Sequence, residues 1–440
     1  MTTRRDFLRQ SAATLAATII VPRALQGKSF IAPAVSASDQ LGVALIGCKS
    51  MGWYDLEDIM RHTGVNCVAL CDIDRGILEN RAAEAEQKWG KAPAIYGDYR
   101  RVLERSDVDI VVIGTPDHWH CKIMTDACAA GKDVYVEKPA ANSIAECDAM
   151  VAAAKRYGRI VQVGQQQRSA ELWHEMKRYI DSGHLGRIAR VNVWANFAYA
   201  AILPPAADGP VPEGVDFDMW LGPAPERTFN ASRFHGAWRM FWDYGGGLLT
   251  DWGVHLLDYA LFGMNVTAPK SIMASGGKFG YPDDACETPD LLQTIYTFDD
   301  FTVMWDHAIG IDDGAYGRTH GLGFVGEKGT LVIDRGGWEV IPEKVNGKQR
   351  MEAVPLKKAY GAGGLELHVK NHLECIKART PEKCHASIQI GAHIAKFSHL
   401  GNIAYRTGKK LTWDGVTFHD AEADAYLCKE YRNPWKLPKV

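Results

Sequence analysis

The sequence has no excess of positive charge and, beyond its first residues, no long apolar run. Its 440 residues include 50 Lys and Arg and 53 Asp and Glu, for a net charge of -3. Because nucleic-acid-binding proteins carry a basic surface, we expect no nucleic-acid partner. A membrane-spanning helix needs about 18 or more consecutive apolar residues, so we predict no membrane span in the mature protein.

The ten cysteines form no C-x-x-C pair and no zinc-binding spacing. Four of them lie within apolar strand or helix patterns: Cys48, Cys67, Cys71 and Cys128. Cysteine behaves there as a small buried hydrophobe, so we predict mostly free thiols in the core and no metal site. His368 and His372 have the spacing of two zinc-ligating histidines, but the glutamate of H-E-x-x-H is missing.

The first residues have the layout of a twin-arginine export signal. Arg4 and Arg5 precede an apolar, uncharged run, residues 12–21, which Pro22 ends. This run is too short to span the hydrocarbon core of a bilayer, and the small residues up to Ala37 fit a cleavage site. We therefore predict a signal peptide at residues 1–37 and a periplasmic protein, exported in its folded state.

The remaining chain is longer than one hydrophobic core usually serves, so we predict two domains, at residues 38–165 and 166–440. From Leu41, short continuous apolar runs alternate with amphipathic ones, which is typical of strands buried on both faces and the helices between them. The strand-like runs are LGVALIG, CVALCD, DIVVIGTP, DVYVEKP and RIVQVGQ, and helices are predicted at residues 55–61, 75–89, 120–130 and 144–157. This alternation predicts an α/β fold with a doubly wound parallel sheet of the Rossmann type.

The second half has a different pattern. Residues 291–308 and 321–341 alternate apolar with polar side chains around turn residues, as antiparallel strands do. Two helices are predicted near the C-terminus, at about residues 365–378 and 386–406, and we expect them to pack back on the first domain.

The turn after the first strand carries part of a dinucleotide-binding fingerprint. It has the first and third glycines of G-x-G-x-x-G, but Lys49 replaces the middle one and can contribute charge to a phosphate. Asp72 ends the second strand, where a carboxylate would accept hydrogen bonds from the ribose hydroxyls, which favours NAD over NADP unless Arg75 offsets its charge. The candidate cofactor-binding residues here are Gly47, Lys49, Ser50, Met51, Gly52 and Asp72.

Four further motifs follow predicted strands or lie in the second half. They are TPDHWH at residues 115–120, EKPAANS at 137–143, VGQQQR at 163–168 and DWGVH at 251–255. Together they resemble the Gfo/Idh/MocA oxidoreductases, over most of the mature chain. The resemblance implies a Rossmann domain, then an α/β domain with a large, mostly antiparallel or mixed open sheet, and a nicotinamide held between the two. It adds to the cofactor-binding candidates Thr115, Pro116, His118, His120, Glu137, Lys138 and Gln165.

Three residues are the catalytic candidates. Lys138 lies at the carboxyl end of a strand, where a cation can stabilise an alkoxide as it forms. Asp251 and His255 are four residues apart, so in a helix both side chains lie on one face. The imidazole can take a hydroxyl proton, and the carboxylate can orient the substrate or the imidazole.

Candidate substrate-binding residues come from both halves. The stretch at residues 220–252 is rich in tryptophan, and indole faces stack well on the apolar faces of sugar rings. Core packing is the competing explanation for several of these rings. The substrate-binding candidates are Trp119, Arg168, His235, Arg239 and Trp252.

Export of a folded protein fits an enzyme that must capture NAD in the cytoplasm, because there is no NAD pool beyond the inner membrane. We therefore predict a periplasmic oxidoreductase with tightly bound NAD, which oxidises a ring hydroxyl of a sugar or glycoside, with C3 as the expected position, to a keto-sugar. A second keto-sugar would then take the hydride back. By analogy with the family, we expect a homo-oligomer.

Two alternatives remain open. One is an NAD-dependent glycoside hydrolase that oxidises, eliminates the aglycone, adds water and reduces again, as in the exported α-N-acetylgalactosaminidases. The spacing of Asp251 and His255 resembles the dehydrogenases instead, since a glycine-rich histidine motif is expected in those hydrolases. The other is a non-catalytic sugar-binding protein, for which Lys49 in the phosphate turn is the best support.

Overall fold

Short aliphatic runs build a parallel sheet in the first half of the chain. The computed structural model describes residues 40–197, 203–360 and 364–440, so the predicted signal peptide lies outside the described residues. The sheet has six strands in the order β3-β2-β1-β4-β5-β6, all parallel, as the Rossmann prediction requires. The strands are β1 (Leu41–Ile46), β2 (Val65–Cys71), β3 (Ala94–Tyr96), β4 (Ile110–Ile113), β5 (Asp133–Val136) and β6 (Val161–Val163).

Four of the five helices between these strands were predicted, and two of them, at residues 75–89 and 144–157, have the predicted bounds. The five helices are α1 (Ser50–Ile59), α2 (Arg75–Trp89), α3 (Tyr99–Leu103), α4 (Asp117–Ala129) and α5 (Ile144–Tyr157). The first turn of α1 was missed because serine and glycine there are poor helix formers. Strand β3 and helix α3 were not predicted, since β3 has only three residues at the edge of the sheet and none of them is fully buried.

A nine-stranded sheet occupies the second half, with the order β16-β13-β12-β11-β7-β10-β9-β8-β17. Strands β7 and β10 are parallel and the other neighbours are antiparallel, which confirms a large mixed sheet. Its strands are β7 (Ile188–Phe197), β8 (Ser271–Gly277), β9 (Leu291–Thr297), β10 (Thr302–Ile309), β11 (His320–Gly326), β12 (Gly329–Asp334), β13 (Gly337–Pro342), β16 (Val354–Lys358) and β17 (Leu411–Thr412). A separate short hairpin pairs β14 (Lys344–Val345) with β15 (Lys348–Gln349).

The helices of the second half cover this sheet and reach back to the first one. They are α6 (Glu171–Asp181), α7 (Phe217–Leu221), α8 (Gly247–Asp251), α9 (Gly253–Met264), α10 (Gly364–Ala378), α11 (Ile388–Thr407) and α12 (Ala421–Asp424). Leu373 of α10 joins the core on one face of the parallel sheet, and Ala392 of α11 joins the core on the other. The two predicted C-terminal helices therefore pack on the first half of the chain.

The predicted free thiols are observed: the ten cysteines form no disulfide, and nine of them are buried. His368 and His372 lie buried in α10, with their rings beside that of Tyr135 in the first half of the chain. Within the described ranges no group of three or more His, Cys, Asp or Glu side chains is arranged to hold a metal ion. No helix in those ranges is both long and apolar enough to cross a membrane.

Three glycines allow the first turn to pack closely against the end of β4. Gly47 has a φ of 87°, a left-handed value that favours glycine. A Cβ on Gly52 would lie 2.4 Å from the Gly47 carbonyl oxygen, and one on Gly114 would lie 2.5 Å from the Gly52 Cα. The backbone of α1 can therefore begin directly against the sheet, which brings its amide groups to the edge where ligands bind.

We predict that Gly52→Ala lowers the free energy of unfolding by about 1–3 kcal/mol, because the added methyl group meets rigid backbone. Alanine in a helix normally stabilises it by up to about 1 kcal/mol relative to glycine, so the sign is diagnostic. Gly76→Ala in the first turn of α2 is the matched control, since its Cβ would make only an ordinary contact at 3.4 Å. Urea unfolding measures both variants, and wild-type stability of Gly52→Ala would contradict the packing argument.

Candidate active site

The carboxyl ends of the parallel strands open into a cleft between the two halves of the chain. Open parallel sheets bind ligands at this edge. Trp220, Trp238 and Arg239 of the second half form part of the opposite wall. Nine predicted cofactor-binding residues line the cleft: Gly47, Lys49, Ser50, Met51, Asp72, Thr115, Pro116, Glu137 and Lys138. Gly52 lies behind the turn, where it permits the close packing described above.

Asp72 braces the glycine turn as well as lining the cleft. Its carboxylate accepts hydrogen bonds from the backbone N–H groups of Cys48, at 2.7 Å, and Asp74, at 3.0 Å. Each carboxylate oxygen keeps a lone pair for another donor, such as a ribose hydroxyl. Arg75 is exposed and pairs with Glu79 at 2.6 Å, so it does not offset the charge of Asp72 in this structure.

One buried polar atom in the cleft wall fits a bound dinucleotide. The Thr115 Oγ1 atom is buried without a hydrogen-bond partner in the protein. Such atoms are uncommon in native structures, because leaving them unpaired is costly. Together with the close glycine turn and Asp72, it indicates that this cleft is shaped for a polar ligand such as NAD.

Lys138 and Asp251 connect the two halves of the chain at the inner end of the cleft. The Lys138 Nζ lies 2.5 Å from Asp251 Oδ1 and 3.2 Å from the Asp251 carbonyl oxygen. Arg239 Nε lies 3.4 Å from the same carboxylate oxygen. Burial alone would raise the pKa of Asp251, but Lys138 and Arg239 outweigh it and the pKa is lowered. Asp251 is therefore ionised and holds two cations in place.

His255 follows Asp251 across a short break between two helices. Asp251 ends α8 and His255 lies in α9, with Trp252 between the helices at φ -87° and ψ -31°. These angles are nearly helical, so the Asp251 carboxylate and the His255 imidazole stay close to each other. The negative charge of Asp251 therefore still acts to raise the pKa of His255. His255 is 6% exposed and its Nδ1 has no partner. Burial, reinforced by Lys138, lowers its pKa well below 6.5, so the imidazole is neutral at pH 7.

A second group of side chains lies around Trp252, beyond His255. The Trp252 ring is 4.4 Å from that of Phe197 and 5.0 Å from that of His320, and the Arg335 guanidinium lies 4.4 Å from it. The His320 Nε2 atom is buried without a partner. Sequence reasoning missed His320 and Arg335, because they lie on strand β11 and on the β12–β13 turn and belong to no local motif.

His118 and His120, predicted to bind the cofactor, do not line the cleft. His118 Nε2 lies 2.9 Å from the Trp220 carbonyl oxygen, and the His120 nitrogens lie 2.7 Å and 2.9 Å from the carbonyl oxygens of Pro139 and Thr115. Burial lowers the pKa of His118 to about 3 and that of His120 to about 4. Both rings are neutral and support the cleft wall from behind.

Gln165 and Arg168 also lie outside the cleft. The Gln165 Nε2 donates to the Val254 carbonyl oxygen at 3.2 Å, which links β6 to the start of α9. Arg168 pairs with the buried Asp258 at 2.6 Å, so its guanidinium is committed to a contact within the second half. Nothing in the spacing of VGQQQR distinguishes these bracing roles from ligand binding.

Of the remaining substrate candidates, His235 and Arg239 line the cleft and Trp119 forms part of its wall. The His235 Nε2 lies 2.8 Å from Asp74 Oδ2, a contact that the sequence did not suggest. The Trp119 Nε1 donates to the Trp220 carbonyl oxygen at 3.1 Å, and the ring is almost fully buried. Trp119 therefore joins the two halves and has little surface left for a sugar.

Comparison with protein families supports the two-part architecture. The model of an oxidoreductase family with an NAD-binding Rossmann fold matches residues 41–165. The model of the C-terminal alpha/beta domain of the same family matches residues 172–308.

The chain is also similar to curated proteins over part of its length. A glycosyl hydrolase family 109 protein of Shewanella sp. strain W3-18-1 is 31% identical over 169 residues, which is 35% of this chain and 37% of that protein. The alpha-N-acetylgalactosaminidase of Shewanella oneidensis is 29% identical over the same shares of the two chains. These matches span little more than a third of either relative.

Solved structures share the fold over most of the chain. The aldose-aldose oxidoreductase from Caulobacter crescentus, complexed with glycerol, has a TM-score of 0.63 at 20% identity and covers 85% of this chain and 100% of its own. The WlbA dehydrogenase from Bordetella pertussis, in complex with NADH and UDP-GlcNAcA, has a TM-score of 0.61 at 19% identity, covering 85% and 99%. With both domain models matched in order and the dinucleotide cleft in place, the chain belongs to the Gfo/Idh/MocA oxidoreductase family.

Proposed function

We propose that this protein is an oxidoreductase that acts on a hydroxyl group of a sugar or glycoside with a retained NAD. The observation that carries the proposal is the Lys138–Asp251 pair at 2.5 Å, which joins the dinucleotide cleft to the side of the molecule that holds His255 and Trp252. An ammonium, a carboxylate and a neutral imidazole are the groups that oxidation of an alcohol requires.

NAD, when bound by the cleft residues, supplies the acceptor for the hydrogen that leaves the carbinol carbon. The chain supplies the charge and the proton acceptor. Lys138 is held by Asp251, so its ammonium can stabilise negative charge on the substrate oxygen without reorganising. Arg239 shares the same carboxylate at 3.4 Å and limits its movement. Asp251 therefore acts by positioning Lys138 at the inner end of the cleft.

His255 is suited to accept the hydroxyl proton. Its Nδ1 has no partner in the protein, and its depressed pKa keeps it unprotonated at pH 7. The Trp252 ring lies beside it, with centroids 6.0 Å apart, and packs against Phe197, His320 and Arg335. His320 and Arg335 supply hydrogen-bond donors on this side of the imidazole, which suits a polyhydroxylated substrate.

The names of similar proteins favour a sugar substrate. Solved structures of the same fold include the aldose-aldose oxidoreductase and a levoglucosan dehydrogenase in complex with NADH and levoglucosan. We propose C3 as the oxidised position and a second keto-sugar as the acceptor that restores NAD.

We also propose that the protein assembles as a homo-oligomer, which the particle mass in solution tests.

A glycoside hydrolase with a redox-neutral NAD cycle is the second candidate. The observation that favours it is the 29–31% identity to glycosyl hydrolase family 109 proteins over 169 residues. The same His255 and Lys138 would serve its first oxidation. The two candidates differ in what happens to the aglycone after that step.

Product analysis with a panel of chromogenic aryl glycosides distinguishes the two. For the oxidoreductase, we expect a keto-glycoside that accumulates only when an acceptor keto-sugar is added, and no released aglycone. Release of aglycone without an acceptor would favour the hydrolase. If neither product forms with any sugar while NAD remains bound, both enzyme proposals are wrong and a binding role is left.

We predict that Lys138→Ala lowers kcat/KM by about 10²–10³-fold, because it removes the cation that stabilises the alkoxide. The nicotinamide content of the purified protein should stay close to that of the wild type. Lys122→Ala is the matched control, since Lys122 also pairs with a carboxylate, Asp126 at 2.6 Å, but does not line the cleft. Wild-type rates in Lys138→Ala would contradict the site assignment.

The pH dependence of the reaction tests His255. Because its pKa is lowered, the imidazole stays in the base form as pH falls through about 6.5, the ordinary histidine value. We expect the acid limb of the kcat/KM profile to lie below that pH, and His255→Ala to lose about 10²–10⁴-fold in rate together with that limb. A limb at or above pH 6.5 that survives in His255→Ala would refute this role.

A segment of the second half closes the outer end of the cleft. Asp74, just after β2, pairs with His235 at 2.8 Å. On the neighbouring backbone, Asp216 N donates to the Ile73 carbonyl oxygen at 2.9 Å and Arg75 N donates to that of Gly214 at 3.0 Å. These contacts join the rim of the cofactor cleft to the opposite wall. They support slow release of NAD, as a protein exported with its cofactor needs.

We predict that the protein, recovered from the periplasm, carries bound NAD, and that His235→Ala loses it about 10-fold faster. A charged hydrogen bond is worth about 1.5–3 kcal/mol, which corresponds to about 10-fold or more. His184→Ala is the control, because His184 is exposed and far from the cleft lining. Recovery of the protein only from the cytoplasm would refute the location, and cofactor-free protein from either compartment would refute retention.

A further inference from the structure

Helix α1 and the end of strand β5 bring two buried carboxyl groups together behind the cleft. Asp55 is 0% exposed and Glu137 is 6% exposed. Neither oxygen of Asp55, nor Glu137 Oε1, meets a donor from another group. Instead, the two carboxyl groups are hydrogen-bonding neighbours of each other. A hydrogen bond between two carboxyl groups requires a proton on one of them.

Simple electrostatics favours one proton rather than none. Two carboxylates in contact repel each other, and burial removes the water that would screen them. On the Asp55 side the charged group that acts on the pair is Asp58, and this second carboxylate adds to the repulsion. On the other side, the Lys138 ammonium and the Lys138 backbone N–H favour an ionised Glu137. The balance leaves one negative charge, facing Lys138.

We propose that Asp55 and Glu137 share one proton in the wall of the cleft, and that this pair is a positioning device for Lys138. It keeps the charge behind the ammonium at one negative unit rather than two, so that Lys138 stays with Asp251 instead of turning to Glu137. The shared proton is inferred from the protein alone. Only its value to catalysis rests on the proposed function.

The charge of a ligand bound in the cleft should change how strongly Asp55 and Glu137 hold their shared proton. Glu137 lines the cleft, so a cation beside it favours loss of the shared proton, whereas a neutral group favours its retention. NAD in its oxidised form carries a cationic ring and the reduced form does not. We therefore expect oxidised NAD to release more protons on binding than reduced NAD. The titratable and charged groups that face the pair from neighbouring elements are Asp58, Tyr135, Lys138, Arg239 and Asp251.

Infrared spectroscopy of the protein without added cofactor tests the shared proton directly. The carbonyl band of a protonated carboxyl, which shifts in D2O, should be present in the wild type near pH 7. The difference spectra of the wild type minus Asp55→Asn and of the wild type minus Glu137→Gln should each contain this band, since either amide can donate to the remaining carboxylate. Asp58→Asn on the same helix is the matched control, because Asp58 pairs with Arg61 at 2.9 Å, and it should keep the band.

Calorimetry in two buffers of different ionisation enthalpy then counts the protons exchanged on binding. Wild-type protein stripped of cofactor should release a fraction of a proton with oxidised NAD and less with reduced NAD, and Asp55→Asn should release none.

The absence of the carboxyl band in the wild type, or its loss in Asp58→Asn alone, would overturn the proposal even if NAD binds. A protein that shows the band but binds no NAD would refute the proposed function and leave the shared proton standing. If Asp55→Asn does not fold, the wild-type band and Glu137→Gln still decide the question.

Discussion

The ion pair between Lys138 and Asp251 is the interaction on which the site depends. Lys138 comes from the carboxyl end of β5 in the parallel sheet, and Asp251 from the end of α8, which packs against the helices α9 and α11 that cover the mixed sheet. Both side chains are largely buried, and a buried ion pair is favourable only when its geometry is good and its charges are met on all sides. Arg239 and the Asp251 carbonyl oxygen complete that environment. The two sheets must therefore dock correctly for the pair to form.

Burial also explains why the surrounding groups have unusual protonation states. His255, His118 and His120 are neutral because the charged imidazole is disfavoured away from water. The same effect holds a proton near Asp55 and Glu137, where two acids would otherwise repel each other. Asp251 is ionised despite its burial, because two cations contact it. Burial between the two halves thus underlies the neutral imidazoles and the shared proton, and the neighbouring cations account for the anion.

Local sequence patterns were sufficient for most of the fold. The continuous apolar runs predicted β1, β2, β4, β5 and β6, because strands buried on both faces need apolar side chains throughout. The edge strand β3 was missed, because none of its three residues is fully buried. The break at Trp252 has no clear signal in the sequence, since residues on both sides of it are helical and Trp252 keeps nearly helical angles.

For the site, the sequence by itself determined the residues that belong to motifs: the glycine turn, Asp72, Lys138, Asp251 and His255. Each follows a strand or lies on a helix whose position the pattern predicts. The tertiary structure decided the rest. It turned His118, His120, Gln165 and Arg168 away from the cleft, and it brought in His320, Arg335 and the pairs Asp74–His235 and Asp55–Glu137. The physical reason is that these contacts join elements distant in the chain, and only the docking of the two sheets sets their distances.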